Sequence, residues 1–387
     1  METQAILRPT TAEQLREIVA EAGATGRALE ARGGGSKREI GAPGRATQVV
    51  ELGALSGVID YEPSELVLTA LPATPLVEIE ALLAARGQML AFEPWDHGPL
   101  FGRPAGAATI GGVVAAGVAG PRRVSAGSAR DHLLGFTAVS GRGEAFKGGG
   151  KVVKNVTGYD TAKVIAGSWG QLAIMTELTL KVVPRPRATT TVALRGLSAS
   201  AAIVAAAKAL GSRCSPAAAA HFSPTAQTPA VTAIRLEGFR ESVDLRAMQL
   251  RDVLVDFADA VPLDEDEAED LWASAREVRP LAAAEALWRV HVAPSRAAAL
   301  TDALERLDAQ WFADWAGALV WVGAPASADV RTPVEGLGGH AMLLRGPSDL
   351  LRAIPIRHPD PSGVAALSAR VKQAFDPAGV LDPARFS

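Results

Sequence analysis

The stretch that decides the fold is Arg32-Gly33-Gly34-Gly35-Ser36-Lys37, which follows a short strand-like run at 28–31. Three consecutive glycines after a strand leave the backbone free to turn successive N–H groups toward one point. No Cβ blocks close approach, so such a nest suits a phosphate. Taken alone, the run reads equally as a plain flexible turn. A second cluster lies downstream: Thr109-Ile110-Gly111-Gly112, continuing through Gly117, Gly120-Pro121-Arg122 and Gly127-Ser128-Ala129-Arg130-Asp131. Glycines this dense in apolar sequence predict backbone packed directly against a flat ligand. A third cluster comprises Lys154-Asn155-Val156-Thr157-Gly158-Tyr159-Asp160, then Gly167-Ser168-Trp169-Gly170 and Ile174-Met175-Thr176-Glu177.

Outward from these clusters, Thr10 and Glu13 predict a capping box for a first helix. Leu15, Ile18, Val19 and Ala22 form its inward face and Gly23 its stop. Strands are expected at 49–52 and 66–70. Thr74-Pro75 reads as the cap and first residue of a second helix, with Leu76, Ile79, Leu82 and Leu83 inward, running to Gly87. Strands at 133–140 and 173–183 follow, and Pro184-Arg185-Pro186 marks a domain boundary. Beyond it, strands at 189–194, 231–236, 287–292 and 318–322 alternate with helices at 200–210, 243–257 and 296–307, and with one through Trp272 and Arg276. That alternation predicts an antiparallel sheet with helices on one face, a ferredoxin-like α+β domain over 188–345. The last segment, 364–387, reads as a helix and a Pro-punctuated tail. No internal repeat is visible.

Composition excludes several classes of function. Lys and Arg number 39 against 42 Asp and Glu, a net charge of −3, so no basic excess argues for nucleic acid. The single cysteine, Cys214, forms no internal disulfide and cannot hold an iron–sulfur cluster, which needs about four thiolates. A cytoplasmic protein is expected, and any iron–sulfur relay belongs on another chain. The uncharged stretch 104–121 is about as long as a membrane span. Its five glycines and flanking prolines predict a buried loop and helix instead, with no direct span. Docking to the inner membrane through a partner stays open.

The three clusters, in this order and spacing, resemble the FAD-binding domain of the vanillyl-alcohol-oxidase superfamily, the p-cresol methylhydroxylase (PCMH) type. The likeness covers about residues 5–184, and Phe375-Asp376-Pro377-Ala378-Gly379-Val380-Leu381-Asp382-Pro383 resembles the closing motif of that family. More narrowly, GGKVVKNVTGYD and GPRRVSAGSARDHLLGF are similar to the smaller flavin-domain subunit of three-component bacterial glycolate oxidases. The resemblance implies an α+β fold: a two-subdomain FAD domain over 1–184, a cap, and a C-terminal segment returning to the FAD domain. It implies that Arg32, Gly33, Gly34, Gly35, Ser36 and Lys37 cradle the pyrophosphate. Thr109, Ile110, Gly111, Gly112 and Gly117 line the flavin, Gly120 and Arg122 lie near it, and Ile174 meets the adenine end. Gly158 and Tyr159 either touch FAD or hold their loop. No His or Cys stands in 32–37 to tether a flavin, so noncovalent FAD is expected.

Hydroxy-acid dehydrogenases of this superfamily carry a metal and a base in a His-rich motif, because a base must take the hydroxyl proton as hydride leaves. The six histidines here, His97, His132, His221, His291, His340 and His358, include no two at ligand spacing, so no metal is expected. The resemblance therefore implies an FAD-bearing subunit that oxidises glycolate to glyoxylate with a catalytic flavoprotein and an iron–sulfur subunit as partners. Two alternatives remain: a self-sufficient dehydrogenase of a small 2-hydroxy acid, and a structural subunit with a vestigial FAD site. For the former, Arg289 and His291 alternate with apolar residues and share one sheet face. They read as a carboxylate-binding arginine and a base, or as an ion-paired arginine and a structural histidine. Arg235 and Arg276 are weaker candidates of the same kind, and His97 reads as structural. The acidic run 264–270 is a solvated helix start or a docking patch; Trp311, Trp315 and Trp321 are core or interface anchors.

Overall fold

The computed structural model of the chain describes residues 5–42, 48–151, 159–381 and 385. They form two compact units: residues 1–119, 127–185 and 359–387, and residues 120–126 and 186–358. The sequence reading keeps 120–126 in the first domain, whereas the segment packs with the second unit.

The first unit opens with a three-stranded parallel sheet, in which Gln48–Glu51 lies between Ala5–Leu7 and Leu29–Arg32. The crossover helix Ala12–Thr25 buries Leu15, Val19 and Ala22. Each of the two larger side chains contributes ~1.5–3 kcal/mol by leaving water. The cap is Thr11, whose hydroxyl accepts from the Gln14 N–H; Thr10 instead donates its backbone N–H to the Gln14 side chain at 2.8 Å. Gly23 sits inside the helix, and the left-handed residue that ends it is Gly26, φ 65°. The second helix, Leu76–Ala84, has no side-chain cap. Thr74 Oγ1 is taken up by the Gly57 N–H and by carbonyls of Gly57 and Leu71.

A five-stranded antiparallel sheet forms the other half, in the order Val58–Glu62, Val67–Ala70, Ala173–Lys181, Leu133–Ser140, Ala145–Gly149. The tail closes onto this unit. The Asp376 carboxylate accepts from the N–H groups of Val380 and Leu381 and from Lys372 Nζ, and the Leu29 N–H donates to the Val380 carbonyl at 2.8 Å. Val380 and Leu381 thereby join Leu15, Val19, Leu29 and Val50 in one core. The KNVTG part of the third cluster and Asp382-Pro383 lie outside the described residues.

The second unit is one eight-stranded antiparallel sheet. Its connectivity is a duplication. Strands Ala188–Arg195, Ala218–Phe222, Val231–Gly238 and Val261–Pro262, with helices Ala199–Leu210 and Arg240–Leu254, make a βαββαβ unit of strand order 4-1-3-2. Strands Ala286–His291, Gln310–Asp314, Leu319–Ala324 and His340–Arg345 repeat it with helices Pro294–Glu305 and Arg331–Gly336. The halves join edge to edge, His221 opposite Ala313 and Phe222 opposite Phe312. The ferredoxin-like motif thus occurs twice, a repeat that conserves strand order and burial and leaves no sequence trace. The alanines of Ala199–Leu210 have a packing reason: Ala202, Ala205, Ala206 and Ala209 are buried in the core of this half. Asp264 caps Glu265–Glu277 by accepting from the Glu267 N–H, so the acidic run is a helix start with its carboxylates at the positive end of the dipole. Trp311, Trp315 and Trp321 are buried, as is Cys214.

Candidate functional site

A cavity enclosing about 800 Å³, open mouth included, lies in the first unit beside the glycine run. One wall is the end of the strand Leu29–Arg32 and the loop Gly33 to Arg38; facing it are Thr109, Gly112, Ala115 and Ala116; Trp169, Gly170, Leu381 and Arg385 complete it. Of the residues singled out in the sequence, the structure therefore gathers Arg32, Gly33, Gly34, Gly35, Ser36, Lys37, Thr109 and Gly112 around one space.

The glycines are required by close packing. A Cβ on Gly34 would stand 1.9 Å from the Ala107 carbonyl oxygen, and one on Gly33 would stand 2.5 Å from Thr109 Oγ1. Gly35, at φ 77°, turns the chain through the left-handed region. The loop facing Gly34 is itself fixed: Asp96 Oδ2 accepts from the N–H groups of Gly106, Ala107 and Ala108 at 2.8, 2.9 and 3.2 Å. Thr109 caps the short helix Ile110–Ala116, and Gly117 ends it at φ 63°. The carbonyls left over at its end accept from the Gly167 and Trp169 N–H groups at 3.0 and 2.7 Å, which brings Trp169 and Gly170 to the cavity.

The lining is cationic. Among the described residues of the lining, Arg32, Lys37, Arg38 and Arg385 face a single carboxylate, Glu30. Glu30 Oε1 accepts from Arg32 and Arg385, both at 3.0 Å. Burial pushes the Lys37 ammonium down to about 8, with the Asp96 carboxylate pulling the other way. Arg385 spends Nη2 on the carbonyls of Arg38 and Ile40, which pins that loop, while its buried Nε has no hydrogen-bond partner. A backbone nest ringed by cations, one of them an unsatisfied donor, can hold a polyanion such as a diphosphate.

The remaining residues singled out in the sequence make the following contacts. Arg122 binds Glu237, Nη2 to Oε2 at 2.7 Å and Nε to Oε1 at 3.0 Å, and Arg235 Nε lies 3.0 Å from the same carboxylate. Arg122 and Arg235 are buried residues of the second unit and share this one carboxylate. Gly120, in the same unit, accepts from the indole N–H of Trp315 at 3.0 Å. Gly111 is a glycine because a Cβ would strike Pro72 at 2.6 Å, and Gly117 packs on Gly167. Ile110 and Ile174 have core side chains, which leaves open the backbone contact expected of Ile174. Arg276 pairs with Glu277, and His97 stacks on Trp95 at 3.6 Å between ring centroids. Arg289 and His291 do share a face of the strand Ala286–His291, opposite Met342 and His340 on the neighbouring strand.

Residues 3–149 match the family model described as FAD binding domain. The chain is 33% identical over 367 residues to the glycolate oxidase subunit GlcE of Escherichia coli (strain K12), covering 92% of each. It is 42% identical over 103 residues to a D-lactate dehydrogenase of Anaerostipes hadrus, 27% of this chain and 20% of that protein. Among solved structures, 4-ethylphenol oxidase from Gulosibacter chungangensis superposes with a TM-score of 0.70 at 15% identity, covering 100% of this chain and 90% of that one. p-Cresol methylhydroxylase does so at 0.68 and 14%, covering 98% and 88%. The fold is therefore the α+β, PCMH-type flavoprotein fold, the cofactor is FAD, and the activity class is oxidoreductase. The chain belongs to the family of the glycolate oxidase subunit GlcE.

Proposed function

We propose that this chain is the FAD-carrying subunit of a heteromeric 2-hydroxy-acid oxidase that converts glycolate to glyoxylate, with a catalytic flavoprotein and an iron–sulfur subunit as partners. The observation that carries this reading is the cationic glycine cradle, with its unsatisfied Arg385 Nε and its half-buried Lys37, which fits a cofactor diphosphate. FAD, when bound, supplies two-electron redox chemistry. The nest N–H groups of Gly33 to Ser36 would hold the diphosphate, with Lys37, Arg38 and Arg385 neutralising it; Trp169, Thr109, Ala115 and Ala116 would exclude water beside it. The cofactor is noncovalent, because no His or Cys stands in 32–37 and Cys214 is a buried residue of the other unit. In the alternative reading, a self-sufficient dehydrogenase, Arg289 would take the substrate carboxylate and the neutral His291 imidazole the hydroxyl proton. A multi-subunit assembly is supported by the likeness to GlcE, a named subunit of glycolate oxidase, and a sequence with one cysteine leaves any iron–sulfur cluster to another chain.

The test is a visible spectrum of the chain expressed alone, followed by glycolate without air. Flavin bands near ~450 nm that persist with glycolate, and bleach only when the partner flavoprotein is added, are expected. An absence of bands after incubation with FAD overturns the cradle. Bleaching by glycolate alone makes the chain a self-sufficient dehydrogenase. Acid precipitation that left the yellow colour in the pellet would contradict noncovalent binding.

A further inference from the structure

Glu30 is an acid in a site suited to an anion. Among the described residues lining the cavity it alone carries a carboxylate, and a carboxylate beside a bound diphosphate repels it. The Glu30 side chain is only 13% exposed, so its charge is poorly screened. Such a residue lowers affinity for an anion unless its contacts do something that outweighs the repulsion.

Those contacts join two arginines. Side chains alternate along the strand Leu29–Arg32, which puts Leu29 in the core and Glu30 and Arg32 together on the other face. Glu30 Oε1 accepts from Arg32 Nε at 3.3 Å, from Arg32 Nη2 at 3.0 Å and from Arg385 Nη1 at 3.0 Å. Two guanidinium groups set side by side repel, and the carboxylate oxygen between them holds them together. Burial lowers the Arg385 guanidinium from its ordinary value, Glu30 raises it and Arg32 lowers it.

Arg385 is where the C-terminal tail meets the cradle, 355 residues from Glu30 in the chain. Its carbonyl accepts from the Ala42 N–H at 2.9 Å, an approach that a Cβ on Gly41 would obstruct at 2.6 Å. Its Nη2 donates to the carbonyls of Arg38 and Ile40, just beyond the nest, and its buried Nε has no hydrogen-bond partner among the described residues. Glu30 therefore fixes, through one oxygen, a cation of the strand before the nest and a cation of the tail behind it.

We infer that Glu30 is a positioning residue for the cofactor, yoking Arg32 to Arg385 so that diphosphate binding and docking of the C-terminal tail are coupled. The inference rests on the reading of the cradle as the diphosphate site, to which it adds Glu30 and the tail. By linkage, a ligand that favours the docked tail is itself bound more tightly when the tail is docked.

The test measures FAD dissociation constants of the flavin-free full chain by flavin fluorescence for the parent, Glu30→Gln, Arg385→Ala and the double variant. The sign is diagnostic. Glu30→Gln removes a repulsion, so a residue acting by charge alone would bind FAD more tightly once changed. A positioning residue gives the opposite: FAD weakens about tenfold in Glu30→Gln, and the same change has an effect within about twofold in the Arg385→Ala background. Equal or tighter binding by folded Glu30→Gln overturns the inference. So does a loss that persists undiminished in the double variant, which would put the carboxylate on the cofactor itself. A second measurement needs no variant. Carboxypeptidase Y releases Arg385 only when the tail undocks, so saturating FAD should slow that release, read by mass spectrometry, and Glu30→Gln should speed it in the flavin-free chain. Release that FAD leaves unchanged overturns the coupling even where Glu30→Gln does not fold. A parent chain that binds no FAD refutes the cradle and this inference with it; a parent that binds FAD without dependence on Glu30 refutes this inference alone.

Discussion

Replacing Gly34 with alanine puts the cradle geometry to its hardest test. The new Cβ would lie 1.9 Å from the Ala107 carbonyl oxygen, against an ordinary contact near ~3.4 Å, so about 1.5 Å of movement must be found. The loop at 106–108 resists, because three N–H bonds tie it to the Asp96 carboxylate. Bonds to a charged group are worth ~1.5–3 kcal/mol each, and a shift of that size breaks about two of them. Overpacking relieved by moving the glycines costs less, ~1–3 kcal/mol. The nest therefore gives way, and two misplaced N–H···phosphate bonds at ~1.5 kcal/mol each lower FAD affinity about 100-fold. Flavin fluorescence titration of the flavin-free chain measures the affinity, and thermal unfolding measures the stability. Gly23→Ala is the control: it lies inside the first helix with nothing within 4 Å of a new Cβ. It should gain ~0.5–1 kcal/mol and bind FAD unchanged. A folded Gly34→Ala protein that binds FAD within about threefold of the parent would refute the packing argument.

Other consequences follow from individual charges. Lys37 sits at about 8 in the flavin-free chain, and a neighbouring diphosphate raises it. FAD affinity should therefore be flat below pH 8 and fall above it, by at most about tenfold per unit, and Lys37→Met should abolish the slope. Without FAD the sign reverses: the unfolded lysine keeps its proton to its ordinary 10.5, so the contribution of Lys37 to stability rises with pH from 8 to 10.5. Glu237→Gln leaves Arg122 and Arg235 buried without their shared carboxylate; denaturant unfolding should register a loss of ~3–5 kcal/mol. Arg385→Ala unpins the loop at Arg38 and Ile40 and removes a donor from the cavity, so FAD binding should weaken about tenfold or more. An unchanged dissociation constant for that variant would remove Arg385 from the site.

What the sequence disclosed and what it hid divide along a physical line. The run 32–37 was legible because three glycines are chemically costly unless backbone must approach something, and the structure supplies that something in Ala107 and Thr109. Even there the signal was mixed, since Gly111 and Gly117 are glycines for Pro72 and Gly167. Ala115 and Ala116 carry no chemistry that a sequence can announce. Trp169, in the third cluster, reaches the cavity through its N–H bond to Ala115, whereas Arg385, which the sequence did not single out, is held there by its bond to Ile40. Arg122 shows a complementary effect. An arginine beside Gly120-Pro121 looks like a ligand contact until its counter-charge is known, and Glu237 lies 115 residues away. The same logic separates Arg122 from its neighbour Arg123. Adjacent in sequence, Arg122 binds the Glu237 carboxylate, and the Arg123 guanidinium lies over the Trp315 ring. An arginine reads as a ligand contact only after the carboxylates around it have been counted, and that count belongs to the fold.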